Sequence, residues 1–254
     1  MSNSNNTSVI IITGASAGLG QEMARQFARL GYSLGLCARR LENLEALRQE
    51  IVKENPECDV QVRQLDVVDE PQVAVVFEEF RQHFGAINRV IVNAGIGKGV
   101  PIGNGGFNAN RQTLMTNVVG ALAQIEHAVA IFKQQNFGHL VCISSVSSTR
   151  GFPGTMNTYA ASKAALSSLA SGLQLELANT PIKVSCIMPG YIASDIATGS
   201  RSRPFSVATD VGVRSMVKAI EAEKASAYVP GWPWIPISFL LKHLPNAIAG
   251  RLIR

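Results

Sequence analysis

At 254 residues, 46% hydrophobic and 16% charged, the chain is long enough to bury roughly three quarters of its unfolded surface in one core, which excludes wholesale disorder. Its opening residues, Met1 to Ser8, are polar and uncharged, unlike a secretory signal, and no stretch of about 18 apolar residues stands out. The net charge of +5 is local, because residues 1–196 balance 15 basic against 15 acidic side chains while 197–254 carry 8 against 3, with no acid after Glu223.

The chain is therefore expected in the cytoplasm unless its surface docks it elsewhere. The basic C-terminal part suits an anionic substrate or a membrane surface. Nucleic acid is not an expected partner, since no nucleic-acid-binding motif accompanies the charge. Four dispersed cysteines (37, 58, 142 and 186) and four scattered histidines form no metal-ligand spacing, so reduced thiols and no metal are expected.

Short β-branched apolar runs alternate with longer amphipathic ones, the rhythm of a parallel sheet with helices on both faces. The predicted elements begin with strand Val9 to Thr13, helix Leu19 to Leu30, strand Ser33 to Ala38 and helix Leu41 to Glu54. Strand Asp59 to Leu65, helix Glu70 to His83, strand Arg89 to Val92 and helix Arg111 to Gln135 follow. The series ends with strand His139 to Ser144, helix Thr158 to Ala178, strand Lys183 to Met188, helix Asp210 to Glu221 and strand Ala227 to Val229. Near-continuous apolar strands imply burial on both faces. The expected fold is α/β: one domain, a doubly wound parallel sheet of about seven strands over 8–230, between a polar tail (1–7) and an apolar, basic appendage (231–254).

The first strand runs into Thr13-Gly14-Ala15-Ser16-Ala17-Gly18-Leu19-Gly20 at the start of a helix. Glycines there let the backbone approach a pyrophosphate, and the helix N-terminus supplies free amides and positive dipole. The second strand of such a unit ends beside the adenosine ribose, where an acid binds a 2′-hydroxyl and arginine a 2′-phosphate. This chain has Arg39-Arg40 and no acid before Glu42. Two cations at a helix start oppose its dipole unless an anion meets them, so NADP(H) is the expected cofactor.

Tyr159 and Lys163 stand four apart at the start of an amphipathic helix, on one face. An ammonium beside a phenol stabilises phenolate, which fits the phenol to exchange a proton with a carbonyl or alcohol oxygen. With Thr13-Gly14-x-x-x-Gly18-x-Gly20, Asp66, Asn93-Ala94-Gly95, Asn117, Ser145 and Pro189-Gly190 in order, residues 8–230 resemble the short-chain dehydrogenase/reductase family, with its Rossmann-like fold.

The resemblance implies hydride transfer between a nicotinamide and a carbonyl or secondary alcohol. Tyr159 is then the general acid or base, Ser145 holds the substrate oxygen, and Lys163 binds the nicotinamide ribose and tunes Tyr159. Asn117 holds a water on the proton path. Asp66 and Val67 meet the adenine. Gly14, Ser16, Gly18, Leu19 and Gly20, with Asn93, Ala94 and Gly95, line the dinucleotide. Pro189, Gly190, Ile192 and Ser194 complete the nicotinamide end. Two departures stand out: Ser145 lies 14 residues before Tyr159 where the family has 13, leaving Ser147 as a competitor, and Ser194 replaces the family's threonine.

Glycines 97, 99, 103, 105 and 106 suggest a mobile substrate loop within Gly97 to Asn110, and the aromatic C-terminal segment suggests a hydrophobic substrate. That segment is expected as a lid, an oligomer contact or a peripheral membrane contact. A homodimer or homotetramer fits the family's pairing of long helices. The alternative to an enzyme is a catalytically idle NADP(H)-binding scaffold or redox sensor.

Overall fold

A computed structural model of the chain describes residues 8–193 and 205–252. Their seven strands are β1 (Val9–Thr13), β2 (Ser33–Ala38), β3 (Val60–Gln64), β4 (Arg89–Val92), β5 (Gly138–Ile143), β6 (Ile182–Pro189) and β7 (Ser226–Val229). All pair in parallel, in the order β3-β2-β1-β4-β5-β6-β7. The order reverses between β1 and β4, and a doubly wound sheet binds ligands at such a point, outside the C-terminal strand ends.

Helices α1 (Gly18–Arg29), α2 (Leu41–Glu54) and α3 (Glu70–Phe84) connect the first four strands. Then come α4 (Phe107–Leu114), a π turn (Met115–Val119), α5 (Gly120–Gln135), α6 (Asn157–Glu176), α7 (Thr209–Glu221), α8 (Gly231–His243) and α9 (Asn246–Leu252). β1 explains the layering: Ile10 and Ile12 join a core with Phe27 of α1, Leu47 of α2 and Met216 of α7, while Ile11 points the other way, to Phe77 of α3, Phe132 of α5 and Leu166 of α6. Both faces are covered, as the apolar runs required.

The predicted helix Arg111 to Gln135 is corrected in two respects. It starts at Phe107 and is interrupted by the π turn. Its 29 residues, with a mean hydropathy of 1.3 in the most apolar window, are also long and apolar enough to cross a membrane, contrary to the expectation that no such stretch exists. Half of that window is buried, and α5 packs on β4 and β5, which is the setting of a core helix.

Opposite the C-terminal strand ends, Arg89 on β4 is buried between the rings of Phe27 and Tyr32, 5.7 Å from each centroid. Its Nη1 donates to Glu221 at 2.5 Å and its Nε to His139 Nδ1 at 2.9 Å. Since Nδ1 accepts, Nε2 carries the proton and donates to Ser185 Oγ at 2.8 Å. Burial, and then the charge of Arg89, push the His139 pKa down to about 3. The unfolded imidazole takes a proton near 6.5 and the folded one does not, so this site contributes stability above 6.5 that is lost as the pH falls towards 3. His139→Gln keeps one acceptor and one donor. It is expected to remove up to about 1.4 kcal/mol per pH unit from the acid slope of the unfolding free energy. Urea titrations of both proteins across that window check this, and an unchanged slope would count against it.

Candidate active site

The turn from β1 to α1 is shaped by close approach. Gly14 has a left-handed φ of +64°, and a Cβ there would lie 2.8 Å from Cα of Ala94. A Cβ on Gly20 would lie 2.5 Å from the Gly14 carbonyl oxygen. Any side chain at either position would force the turn away from the loop after β4. That loop is held by Thr13, whose hydroxyl accepts from the N–H groups of Asn93 and Ala94, both at 3.0 Å, and donates to Ile91 O. Asn93 Nδ2 returns a bond to Thr13 O at 2.8 Å.

A cavity of about 610 Å³ opens here. Gly14, Ser16, Gly18, Leu19 and Gly20 form one wall, Arg39, Arg40, Asp66 and Val67 another, and Asn93, Ala94 and Gly95 the floor towards Tyr159 and Lys163. α1 begins at this wall without a side-chain cap and without an acid in its first turn, so its leading amides are free for an anion. Arg40 directs Nε and Nη2 to Ser16 Oγ at 3.3 and 3.2 Å, which brings the serine and the guanidinium together. The uncapped helix start, the glycine cradle and the arginine pair fit a dinucleotide.

At the other end, α6 carries Tyr159, half-buried, and Lys163, buried. Lys163 Nζ donates to Ile143 O at 2.8 Å and lies 5.9 Å from the Tyr159 ring centroid. Burial pushes its pKa down to about 8, against a smaller upward influence of Cys186 and Cys142. At neutral pH it is therefore still mostly an ammonium, with little margin. All four cysteines are buried and free.

Asn117 sits inside the π turn, an irregularity common at functional positions. Its Oδ1 accepts from Ile96 N at 2.8 Å, and Nδ2 donates to Ile96 O at 2.9 Å and Ser162 Oγ at 3.0 Å. Ser162 in turn donates to Tyr159 O at 2.7 Å. Both amide protons thus tie the loop after β4 to α6, which leaves any held water to the backbone.

Ser145, two residues past the end of β5, caps the 3-10 turn Val146–Thr149 by accepting from Ser147 N at 3.1 Å. It is buried, and the cavity wall there is formed by its neighbours Ile143 and Ser144. Pro189, Gly190 and Ile192 are likewise absent from that wall. Gly190 meets Trp234, whose Nε1 would lie 2.0 Å from a Cβ, and Ile192 bridges to Val207. Ser194 falls outside the described residues. The 231–254 appendage packs on the domain through α8. Trp234 is buried edge-on to Tyr191 at 4.9 Å, and Arg150 donates to the carbonyls of Leu241 (2.7 Å) and Leu244 (3.0 Å) and to Asn246 Oδ1 (2.5 Å).

Several contributors were missed by the sequence reasoning. The glycine motif that contains Thr13 carries no sign of its bonds to the loop after β4. Ser144 anchors α6 to β5 through Lys163 O (3.0 Å) and Ser167 Oγ (2.7 Å), and Lys98 and Thr116 line the cavity. Only the doubled Ser144-Ser145 gave any signal of this, as two hydroxyls at one strand end.

A model of the short chain dehydrogenase family matches residues 8–204. The chain belongs to this family. An uncharacterised oxidoreductase of Mycobacterium tuberculosis is 47% identical over 242 residues, 95% of this chain and 96% of that one. Among solved structures, a short-chain dehydrogenase/reductase of Burkholderia phymatum in complex with NAD shares the fold with a TM-score of 0.83, 23% identity and 93% coverage of both chains. An alcohol dehydrogenase of Thermococcus sibiricus complexed with 5-hydroxy-NADP follows at 0.78 and 23%, covering 87% of this chain and 95% of that one. This short-chain dehydrogenase is thus an oxidoreductase of a nucleotide-binding family.

Proposed function

We propose that this short-chain dehydrogenase is an NADP(H)-dependent carbonyl reductase or alcohol dehydrogenase acting on a hydrophobic substrate. The carrying observation is one cavity with Ser16, Arg39 and Arg40 at one end and Tyr159 beside Lys163 at the other. The nicotinamide, when bound, supplies or accepts the hydride. Tyr159 Oη gives its proton to the carbonyl oxygen in reduction and takes it back in oxidation. The Lys163 ammonium, held by Ile143 O, favours the phenolate left behind. Asn117 and Ser162 fix the backbone of Tyr159 against the loop that floors the cavity.

Ser145 lies one residue beyond the wall and holds the substrate oxygen. Ser145→Ala is expected to lower turnover by about 10²–10³-fold, as loss of an oxyanion donor does, and Ser147→Ala by much less. Steady-state kinetics of both variants decide, and a larger loss in Ser147→Ala would move the role to that residue. An idle scaffold has no need of Asn117, Tyr159 and Lys163 held together through Ile96, Ser162 and Ile143. A panel of aldehydes, ketones and alcohols followed by NADPH absorbance tests the reaction class, and no turnover of any member would sink it.

The protein is read as cytoplasmic and self-associating. Leu114, Val119 and Leu122 are exposed on α4, the π turn and α5, and they support pairing of copies as a homodimer or homotetramer. Light scattering on the purified chain checks the mass.

A further inference from the structure

α8 has two unlike faces. Trp234 and Ser238, four apart, are 4% and 2% exposed and turn inward. Ile235 and Phe239, also four apart, are 56% and 69% exposed and turn outward, with Leu240 at 54% and Trp232, just before the regular helix, at 81%. The loop after β4 adds Ile102 at 73%, and the first residue of α4 adds Phe107 at 74%. Single exposed apolar residues are ordinary, but a helix face of this composition beside a site marks an interaction surface.

The two segments belong to one rim. A Cβ on Gly99 would strike Thr155 O, so the β4 loop lies against the 3-10 turn Gly154–Met156. From the same connection, Arg150 binds the carbonyls at the end of α8. Loop, connection and α8 thus follow one another around the C-terminal edge of the sheet, where the cavity opens.

Charge selects the occupant. Exposed Lys242 follows Ile235 by seven residues, on the same face of α8, and from Lys224 to its end the sequence holds no acidic side chain. A second copy seated symmetrically on this face would set Lys242 against its own image with no acid from this segment to pair it. An anionic lipid surface meets it with opposite charge, and tryptophan, phenylalanine and lysine together suit the bilayer interface. With 13 residues α8 is too short to span a bilayer and would lie in its surface.

We infer that the outer face of α8 and the tip of the β4 loop seat the enzyme on an anionic phospholipid bilayer, so that a lipid-dissolved carbonyl substrate passes from the membrane into the Tyr159 end of the cavity. The docking half stands on the surface alone. The substrate half deepens the reductase reading and rests on it.

The test is co-sedimentation of the full chain with phosphatidylcholine vesicles, with and without phosphatidylglycerol, at low and high salt. Binding is expected only to the anionic vesicles and to weaken with salt. The double substitution Ile235→Ser/Phe239→Ser should lower partitioning by about tenfold or more. Trp232 emission should shift to the blue and be quenched by brominated lipid, a signal that Trp232→Phe removes while binding persists. A native chain that stays in the supernatant overturns docking, as does a double variant that changes oligomer mass without any vesicle binding having been seen.

For the substrate half, the double variant should slow NADPH oxidation by a vesicle-borne long-chain aldehyde and spare that by a short, water-soluble one. Equal slowing of both overturns passage from the membrane. Vesicle binding by a native chain that reduces neither aldehyde supports docking and overturns the reductase reading instead.

Discussion

Tyr159→Phe is expected to bind the dinucleotide within a few-fold of the native protein and to lose turnover by about 10²–10⁴-fold, the usual worth of a positioned proton donor. The substitution removes only the phenolic oxygen, and the half-buried ring keeps its place beside Lys163. Lys163→Ala differs in kind. It deletes the buried ammonium bonded to Ile143 O at the cavity wall, so both cofactor affinity and turnover should fall. Fluorescence titration with NADPH and single-turnover kinetics separate the two variants. A Tyr159→Phe enzyme within a few-fold of native turnover would place the proton elsewhere.

Arg39→Asp is expected to cut NADP(H) affinity by about 10–100-fold for each charge-assisted hydrogen bond lost and to change NAD(H) affinity far less. Arg39 and Arg40 are both exposed at the cavity wall. Arg40 is already turned towards Ser16, which leaves that hydroxyl and two guanidinium groups available to a 2′-phosphate. The only carboxylate on the described wall is Asp66. Calorimetric titration of native and variant protein with both dinucleotides measures the ratio. Equal native affinity for the two would remove the basis for the preference.

The sheet was legible because its strands are short, apolar and bounded by turn residues, and β1, β2 and β4 fall on the expected residues. The dinucleotide wall was legible too, since glycine spacing and paired arginines act locally. What escaped depends on contacts distant in sequence. The π turn at Asn117 leaves no trace in a 3.6-residue period. α8 was obscured by its prolines. Trp232 is non-helical, with φ −97° and ψ 131°, so Pro233 opens the regular helix where no N–H is needed, and Pro236 forfeits only its first hydrogen bond. Nor could spacing show that Gly190 would be pressed against Trp234.

Arg150 joins the connection that begins at Ser145 to the end of α8 and the start of α9. These stretches, nearly a hundred residues apart in the chain, therefore form one exchangeable unit. Transplanting the C-terminal helices of a relative alone would replace Asn246 Oδ1 with that parent's side chain and keep the two carbonyl acceptors only where its helix ends at the same place. A chimera that alters substrate preference while keeping the proton chemistry must carry 146–156 and 231–252 together, with the arginine and the carbonyls it grips drawn from the same parent.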